Sequence, residues 1–195
     1  MIKHIGTQKI ETERLLLRRF ESSDANDIFN RWANDPENTK YLTWNVHKNI
    51  SETKKILEQW LQNYQKNNYY RWCITLKGES TAIGGIDITK LIEEIDCGEI
   101  GYVLAKEFWN RGIMTEALIA SLNHLFAKAN FNRIVSGHDI RNFVSGRVLI
   151  KGGMRFEGIA KFGCRDNLGK FQDSVNYAIT KDDWKASRKI VFSLQ

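Results

Sequence analysis

The sequence predicts a mixed α/β protein, a single sheet with helices packed on it, folded as one domain. Three observations carry that reading. The chain has 195 residues, enough for one domain with a substantial hydrophobic core. Segments with apolar residues at helical spacing alternate with short β-branched and aromatic runs, in the order β-α-α-β-β-β-α-β-α-β-β. The composition, 42% hydrophobic and 27% charged with one proline, is that of a globular domain without a Pro-rich linker.

Residues 12–20 (TERLLLRRF) read as the first strand. Ser23-Asp24 opens a helix, because serine is a good N-cap and aspartate suits the positive helix N-terminus. Ala25, Ile28, Phe29 and Trp32 fall on one face of it, and Pro36 is expected to end it. Ser51-Glu52 opens a second helix with Ile56, Leu57, Trp60, Leu61 and Tyr64 on one face. Residues 69–76 and 82–90 form a strand pair around the Lys77-Gly78-Glu79 turn. Gly84-Gly85 inside the return strand implies a bulge or a close backbone approach. Residues 95–104 (IDCGEIGYVL) give the next strand. A helix then runs from Thr115 to about Ala129, with Ala117, Leu118, Ser121, Leu122, Leu125 and Phe126 facing inward. Residues 132–139 make a further strand. Asn142 to Lys151 is a short helix closed by Gly152-Gly153. Residues 154–166 and 171–180 close the fold as a hairpin.

Several classes of protein are disfavoured by the composition. No apolar run reaches the ~20 residues of a membrane span, and Leu15-Leu16-Leu17 is too short for a signal-peptide core, so a cytoplasmic location is expected. Cys73, Cys97 and Cys164 are widely spaced, with no Cys-x-x-Cys and no zinc-ligand pattern. They read as small buried or half-buried side chains, and no metal is expected. The formal charge is +6, but the basic residues are scattered. That suits a solvated basic surface or an anionic ligand, and no nucleic-acid reader motif accompanies it.

The stretch 108–118 (FWNRGIMTEAL) stands out. A strand runs through a short loop into a helix N-terminus, whose first N–H groups are unpaired and partly positive. Such a terminus receives phosphate. Gly112 lets the backbone approach an anion, Arg111 adds charge and Thr115 a hydroxyl. There is no Gly-Lys-Ser/Thr, so it is not a nucleotide P-loop.

The order W-N-R-G-I-M-T-E-A-L, preceded by G-E-I-G-Y-V-L and followed by N-F-V-S-G-R-V-L-I-K-G-G-M-R-F-E-G, resembles the GNAT (Gcn5-related) N-acetyltransferase superfamily. The opening T-E-R-L-L-L-R and the closing D-S-V-N-Y-A-I resemble its RimJ/RimL-type, ribosomal-protein-alanine branch. The resemblance covers residues 12–186, leaving 1–11 and 187–195 as terminal extensions. It implies a mostly antiparallel sheet of about seven strands flanked by about four helices, with a V-shaped cleft. It also implies acetyl-CoA as co-substrate, its pyrophosphate held by the loop Trp109, Asn110, Arg111, Gly112, Ile113, Met114 and Thr115. Against the family pattern Gln/Arg-x-x-Gly-x-Gly/Ala, only Gly112 matches strictly. Tyr102, Val103 and Leu104 would pair with the pantetheine arm, while the strand beginning at Arg133 splays away. Asn142 matches the family's pantetheine-contacting asparagine, although by itself it reads as an N-cap. Ser145 and Arg147 are expected to face the same region.

For chemistry, the resemblance implies direct acetyl transfer to an amine. Glu99 is the first choice of base and His138 the second, because its ordinary pKa lies near neutrality. Ser145 is the choice of proton donor to the thiolate, since the family's tyrosine position holds Leu149. A backbone N–H of the 102–104 strand would serve the oxyanion. The acceptor expected first is a protein or peptide α-amino group. A small amine such as an antibiotic or polyamine, or a catalytically silent acyl-CoA-binding module, are the alternatives. Glu93, Glu94 and Asp96 form an acidic cluster expected near the acceptor mouth, with Tyr41, Trp44 and Trp72 as candidate pocket walls. Dimers are common in such proteins, and a homodimer is one state the resemblance allows.

Overall fold

The computed structural model describes the backbone of residues 1–192, with side chains through residue 187. Its strands are β1 (Ile10–Glu11), β2 (Leu15–Arg18), β3 (Arg71–Leu76), β4 (Gly84–Ile92), β5 (Cys97–Leu104), β6 (Arg133–Asp139), β7 (Arg155–Arg165) and β8 (Phe171–Thr180). They form one eight-stranded sheet in the order β1-β2-β3-β4-β5-β6-β8-β7. Every neighbouring pair is antiparallel except β5–β6.

Helices cover both faces. On one, α4 (Ile113–Ala127) and α5 (Phe143–Lys151) pack over Leu15, Leu17, Trp72, Ile86, Ile100 and Tyr177. The six inward positions expected of α4 are all buried, among them Ala117, Leu118 and Leu125 at 0% exposure. On the other face lie α1 (Ala25–Ile28), a π turn at Phe29–Ala33, α2 (Pro36–Thr39) and α3 (Ile50–Asn63). Their core joins Phe20, Ile28, Trp32, Leu57 and Cys73. α6 (Lys181–Phe192) follows β8. Trp184 on α6 stacks on Phe126 of α4, with ring centroids 5.5 Å apart.

The structure corrects several local expectations. Pro36 begins a helix rather than ending one. Its missing N–H costs nothing at the first helical position, and Asp35 caps that turn by accepting from Glu37 N–H at 2.8 Å. The preceding helix closes through the π turn at Asn34. The second helix is capped by Asn49, which accepts from Glu52 N–H at 3.2 Å. The bulge in β4 falls at the Ile88/Lys90 step. Of the two readings of Gly84-Gly85, the close approach holds, since a Cβ on Gly84 would stand 2.5 Å from the Val103 carbonyl oxygen. α6 was not expected, yet Thr180 and Asp183 cap it reciprocally, at 3.1 and 3.3 Å. This is a Thr-x-x-Asp form of the capping box.

The acidic cluster sits at the start of β5, the end farther from Leu104. There Asp96 accepts from Ile2 N–H at 2.7 Å and pairs with the Met1 ammonium at 3.0 Å. Glu93 binds His4 at 3.1 Å. These carboxylates hold the N-terminal segment. Among the described residues no helix is long and apolar enough to cross a membrane. The three cysteines are free, Cys73 and Cys97 buried and Cys164 half-buried.

One buried ion pair ties β2 to the helical layer. Arg18 donates to both oxygens of Asp24, each at 2.8 Å, and Glu21 N–H donates to the same carboxylate at 2.8 Å. Asp24 is 3% exposed. Asp24→Ala removes the charge partner of the half-buried Arg18, which keeps only the Arg19 and Ser80 carbonyls, and uncaps the turn, so urea denaturation should show a loss of about 2–3 kcal/mol. A change below about 1 kcal/mol would refute that importance.

Candidate active site

β5 and β6 pair for only three residues: Cys97 with Arg133, Gly98 with Ile134 and Glu99 with Val135. The last tie is the Ser136 hydroxyl, which donates to the Ile100 carbonyl at 2.9 Å. Beyond it the strands diverge. β5 stays paired with β4 as far as Leu104, and β6 with β8 as far as Asp139. The result is a V-shaped cleft inside the sheet.

Successive backbone groups of a strand point to alternate sides. Ala105 N–H donates across to Ile83, so Gly101 and Val103 also spend their backbone groups on β4. Tyr102 and Leu104 direct theirs into the cleft. The Leu104 carbonyl accepts from the Trp109 indole at 2.7 Å. Of the three strand residues expected to pair with a ligand, Tyr102 therefore offers both backbone groups and Leu104 its N–H. The Val103 backbone is committed elsewhere.

The loop after β5 delivers α4 to this open end. Gly112 is the N-cap residue of α4 at φ 73°, with no side chain capping the helix. Asn110 is also left-handed, at φ 59°. The first-turn N–H groups of α4, with Ile113, Met114 and Thr115, are thus open to an external acceptor. Ile113 and Met114 bury their side chains in the core, and Thr115 is half-buried. Arg111 is exposed and lies over the Phe108 ring at 5.7 Å. Arg14 braces the loop, donating to the Arg111 carbonyl at 3.0 Å and to Glu116 at 2.6 Å. A groove of about 740 Å³ begins at Gly112 and Thr115 and follows α4 to Lys128.

α5 overhangs the cleft from the β6 side. Asn142 is its N-cap, accepting from Ser145 N–H at 3.4 Å. Ser145 is half-buried and meets Tyr102 across the gap, Oγ to phenol oxygen at 2.8 Å. Arg147 stands on the outside of the helix, over the Phe143 ring at 5.4 Å. Residues two apart on a helix do not share a face, so Ser145 and Arg147 point to different places.

The two candidate bases are on opposite faces of the sheet. His138 lies beneath α5, stacked on Tyr177 at 5.7 Å, with its Nδ1 2.8 Å from the Asp139 carbonyl and its Nε2 buried without a partner. Glu99 is half-buried and projects to the side of α1–α3, as do Gly101 and Val103. On that same side, opposite Gly101, sits Asp87, 8% exposed. Arg71 pairs with it at 2.6 Å and lies under the Trp60 ring at 4.3 Å. Burial raises the Asp87 pKa and Arg71 opposes the rise. Trp72 is wholly buried, its indole bonded to the Gln8 carbonyl, so it lines no pocket. Trp44 and Tyr41 remain half-buried on the surface.

Sequence reading missed the knot at the far rim. Arg141 bridges Asp139, at 2.9 Å, and Asp166, at 3.1 Å, with the Tyr41 ring 5.7 Å away. Asp166 also accepts from the N–H groups of Leu168 and Lys170. The knot ties the β7–β8 loop to the start of α5. No residue pattern signals it, because its parts meet only through the fold.

Burial alone would raise the pKa of both carboxyls, yet the Arg141 guanidinium and backbone N–H donors hold both below the ordinary aspartate value. A depressed carboxyl contributes stability above its unfolded pKa, about 3.9, and loses it as pH falls through the folded value. Arg141→Ala should therefore be less stable than the parent at neutral pH, with the gap shrinking as pH falls below about 3.9. Thermal melts from neutral to strongly acidic pH test this, and a gap that stays constant into strong acid would refute it. Gly112→Ala forces a Cβ onto a left-handed backbone, although only Arg14 Nη2 lies near, at 3.6 Å. It should cost about 1–2 kcal/mol of stability, and an unchanged urea midpoint would show that no strain is stored there.

Residues 14–155 match the family described as "Acetyltransferase (GNAT) domain". The uncharacterized N-acetyltransferase YnaD of Bacillus subtilis is 30% identical over 90% of this chain and 98% of its own. The crystal structure of ribosomal-protein-S5-alanine acetyltransferase from Vibrio fischeri superposes with a TM-score of 0.79 at 26% identity, covering 91% of this chain and 98% of that one. The microcin C7 self immunity acetyltransferase MccE, crystallised with acetyl-CoA and AMP, shares the fold with a TM-score of 0.77 at 20% identity, over 87% and 93% of the two chains. With its splayed β5–β6 pair and its uncapped α4, the chain belongs to the GNAT acetyltransferase family and is an N-acetyltransferase.

Proposed function

We propose that the protein transfers an acetyl group from acetyl-CoA directly to a primary amine, foremost an α-amino group of a protein or peptide. One observation carries the reading. An unpaired strand edge at Tyr102 lies next to an uncapped helix N-terminus at Gly112. The first suits the amide-bearing pantetheine arm and the second suits a pyrophosphate. The peptide acceptor is favoured by the likeness to the Vibrio fischeri enzyme, whose name specifies a ribosomal-protein alanine.

In this reading the N–H groups from Gly112 to Thr115 hold the pyrophosphate, with Arg111 and Arg14 nearby as fixed positive charge. Tyr102 N–H and C=O align the pantetheine, and Asn142 flanks it. Bound acetyl-CoA supplies an acyl carbon activated towards amines. Glu99, on the α1–α3 side, takes the proton from the incoming amine. His138 is second choice, since α5 and Tyr177 cover it. A cleft-facing N–H of Tyr102 or Leu104 receives the developing negative charge on the carbonyl oxygen. The Ser145 hydroxyl stands at the opposite arm, where the leaving sulfur needs a hydrogen-bond donor.

Calorimetric titration with acetyl-CoA and CoA tests the cofactor, with micromolar dissociation constants expected. No heat at high micromolar ligand would overturn the reading. Thiol release with Ala-initiated peptides, compared with spermidine, tests the acceptor, and turnover of spermidine alone would overturn the peptide assignment. Glu99→Gln should lower the rate by about 10²-fold or more and remove the acidic limb of the pH–rate profile, while acetyl-CoA affinity changes less than about threefold. A retained acidic limb would dismiss Glu99 as the base.

A further inference from the structure

Position 149, where the family resemblance led us to expect a tyrosine, holds Leu149 at 0% exposure. No polar group reaches the cleft from there. A phenol arrives from the other arm. Tyr102 projects from β5 to α5, its oxygen 2.8 Å from Ser145 Oγ and 3.1 Å from the Ser145 carbonyl oxygen. Ser145 in turn is held at the start of α5 by the Asn142 cap.

Two hydroxyl protons serve this contact. If Tyr102 donated to the Ser145 carbonyl and Ser145 donated to the phenol, both would be consumed internally. The cleft would then see only lone pairs. If Tyr102 donates to Ser145 Oγ, the serine proton is free to turn into the cleft. The second arrangement is favoured on two grounds. The Oγ contact is the shorter, 2.8 against 3.1 Å, and one lone pair of the Ser145 carbonyl is already directed at Leu149 N–H in the α5 ladder. A phenol is also far more acidic than an alkyl hydroxyl, hence the stronger donor of the pair. Burial raises the Tyr102 pKa well above the ordinary tyrosine value, so the phenol keeps its proton across the working pH range.

We propose that Tyr102 is a positioning residue for acyl transfer: its hydroxyl donates to Ser145 and aims the Ser145 proton at the sulfur of the departing CoA. The inference rests on the acetyl-CoA reading above. As the C–N bond forms and the C–S bond breaks, the electron pair goes to sulfur and the amine proton to Glu99. The Ser145 proton stays on its oxygen, hydrogen-bonded to the thiolate. Ser145 thus supplies the hydrogen bond that no tyrosine of α5 provides, and Tyr102 aims it from β5.

The test needs no acceptor. A hydroxyl donor to sulfur favours the thiolate of bound CoA and lowers its thiol pKa, which ultraviolet absorbance of the thiolate reads out. Tyr102→Phe keeps the ring and removes only the hydroxyl. In the CoA complex, Tyr102→Phe and Ser145→Ala should each raise the thiol pKa by about 0.5 or more. The double variant should do no more than Ser145→Ala alone, the sign of residues acting as one unit. CoA affinity should stay within about threefold. An unchanged thiol pKa in Tyr102→Phe, in Ser145→Ala, or additive effects in the double variant would each overturn the proposal. Should Tyr102→Phe fail to fold, Tyr102→Met removes the hydroxyl in its place, with the same outcomes expected. Failure of the parent protein to bind CoA would instead overturn the acetyl-CoA reading itself.

Discussion

The site depends on one constraint: β5 and β6 are parallel neighbours that stay together for only three residue pairs. Parallel neighbours cannot be joined by a tight turn, so the chain must leave the end of β5, cross over and return to the start of β6. α4 is that crossover. Its N-terminus must therefore stand beyond the C-terminal end of β5, at the wide end of the V. The helix dipole and the open strand edge are brought together by topology, before any particular side chain is chosen.

Each arm is then made firm by different means. The β5 arm is backed by β4 through Leu104, and its outgoing loop is pinned by Arg14, which binds both the Arg111 carbonyl and Glu116. The β6 arm is paired with β8 over all seven of its residues. Arg141 with Asp139 and Asp166 fixes the turn from that arm into α5. Apart from the three pairs and the Ser136 bond, the Tyr102–Ser145 contact bridges the arms. The polar groups of the site are thus carried by two well-braced bodies meeting at a narrow base.

Much of this was legible in the sequence because it is local. The α4 stripe, the left-handed demand at Gly112 and the Asn142 cap all follow from residues a few places apart. Local misreadings arose where two signals compete. Pro36, expected to end one helix, instead starts the next after the first has closed at Asn34. What sequence could not show were contacts between distant residues. Arg14 meets Glu116 across 102 positions, and Tyr102 meets Ser145 across 43. The acidic residues Glu93 and Asp96 were legible as a cluster, but their partners, His4 and the Met1 ammonium, could be found only in the fold. Periodicity also says nothing about strand order, so the face on which Glu99 and His138 project was hidden until β5 and β6 were placed side by side.

The cleft can be described as a sheet left unfinished in its middle. Edges of this kind usually occur at the rim of a sheet, where another chain can add to them. Here they lie between two paired halves and beside α5. Whatever fills the gap acts partly as a missing strand, and its binding energy becomes part of the energy that holds the two halves together. The chain's resistance to unfolding is then a function of ligand concentration as well as of temperature and solvent. Supply of the donor would govern how long the protein persists as well as how fast it works.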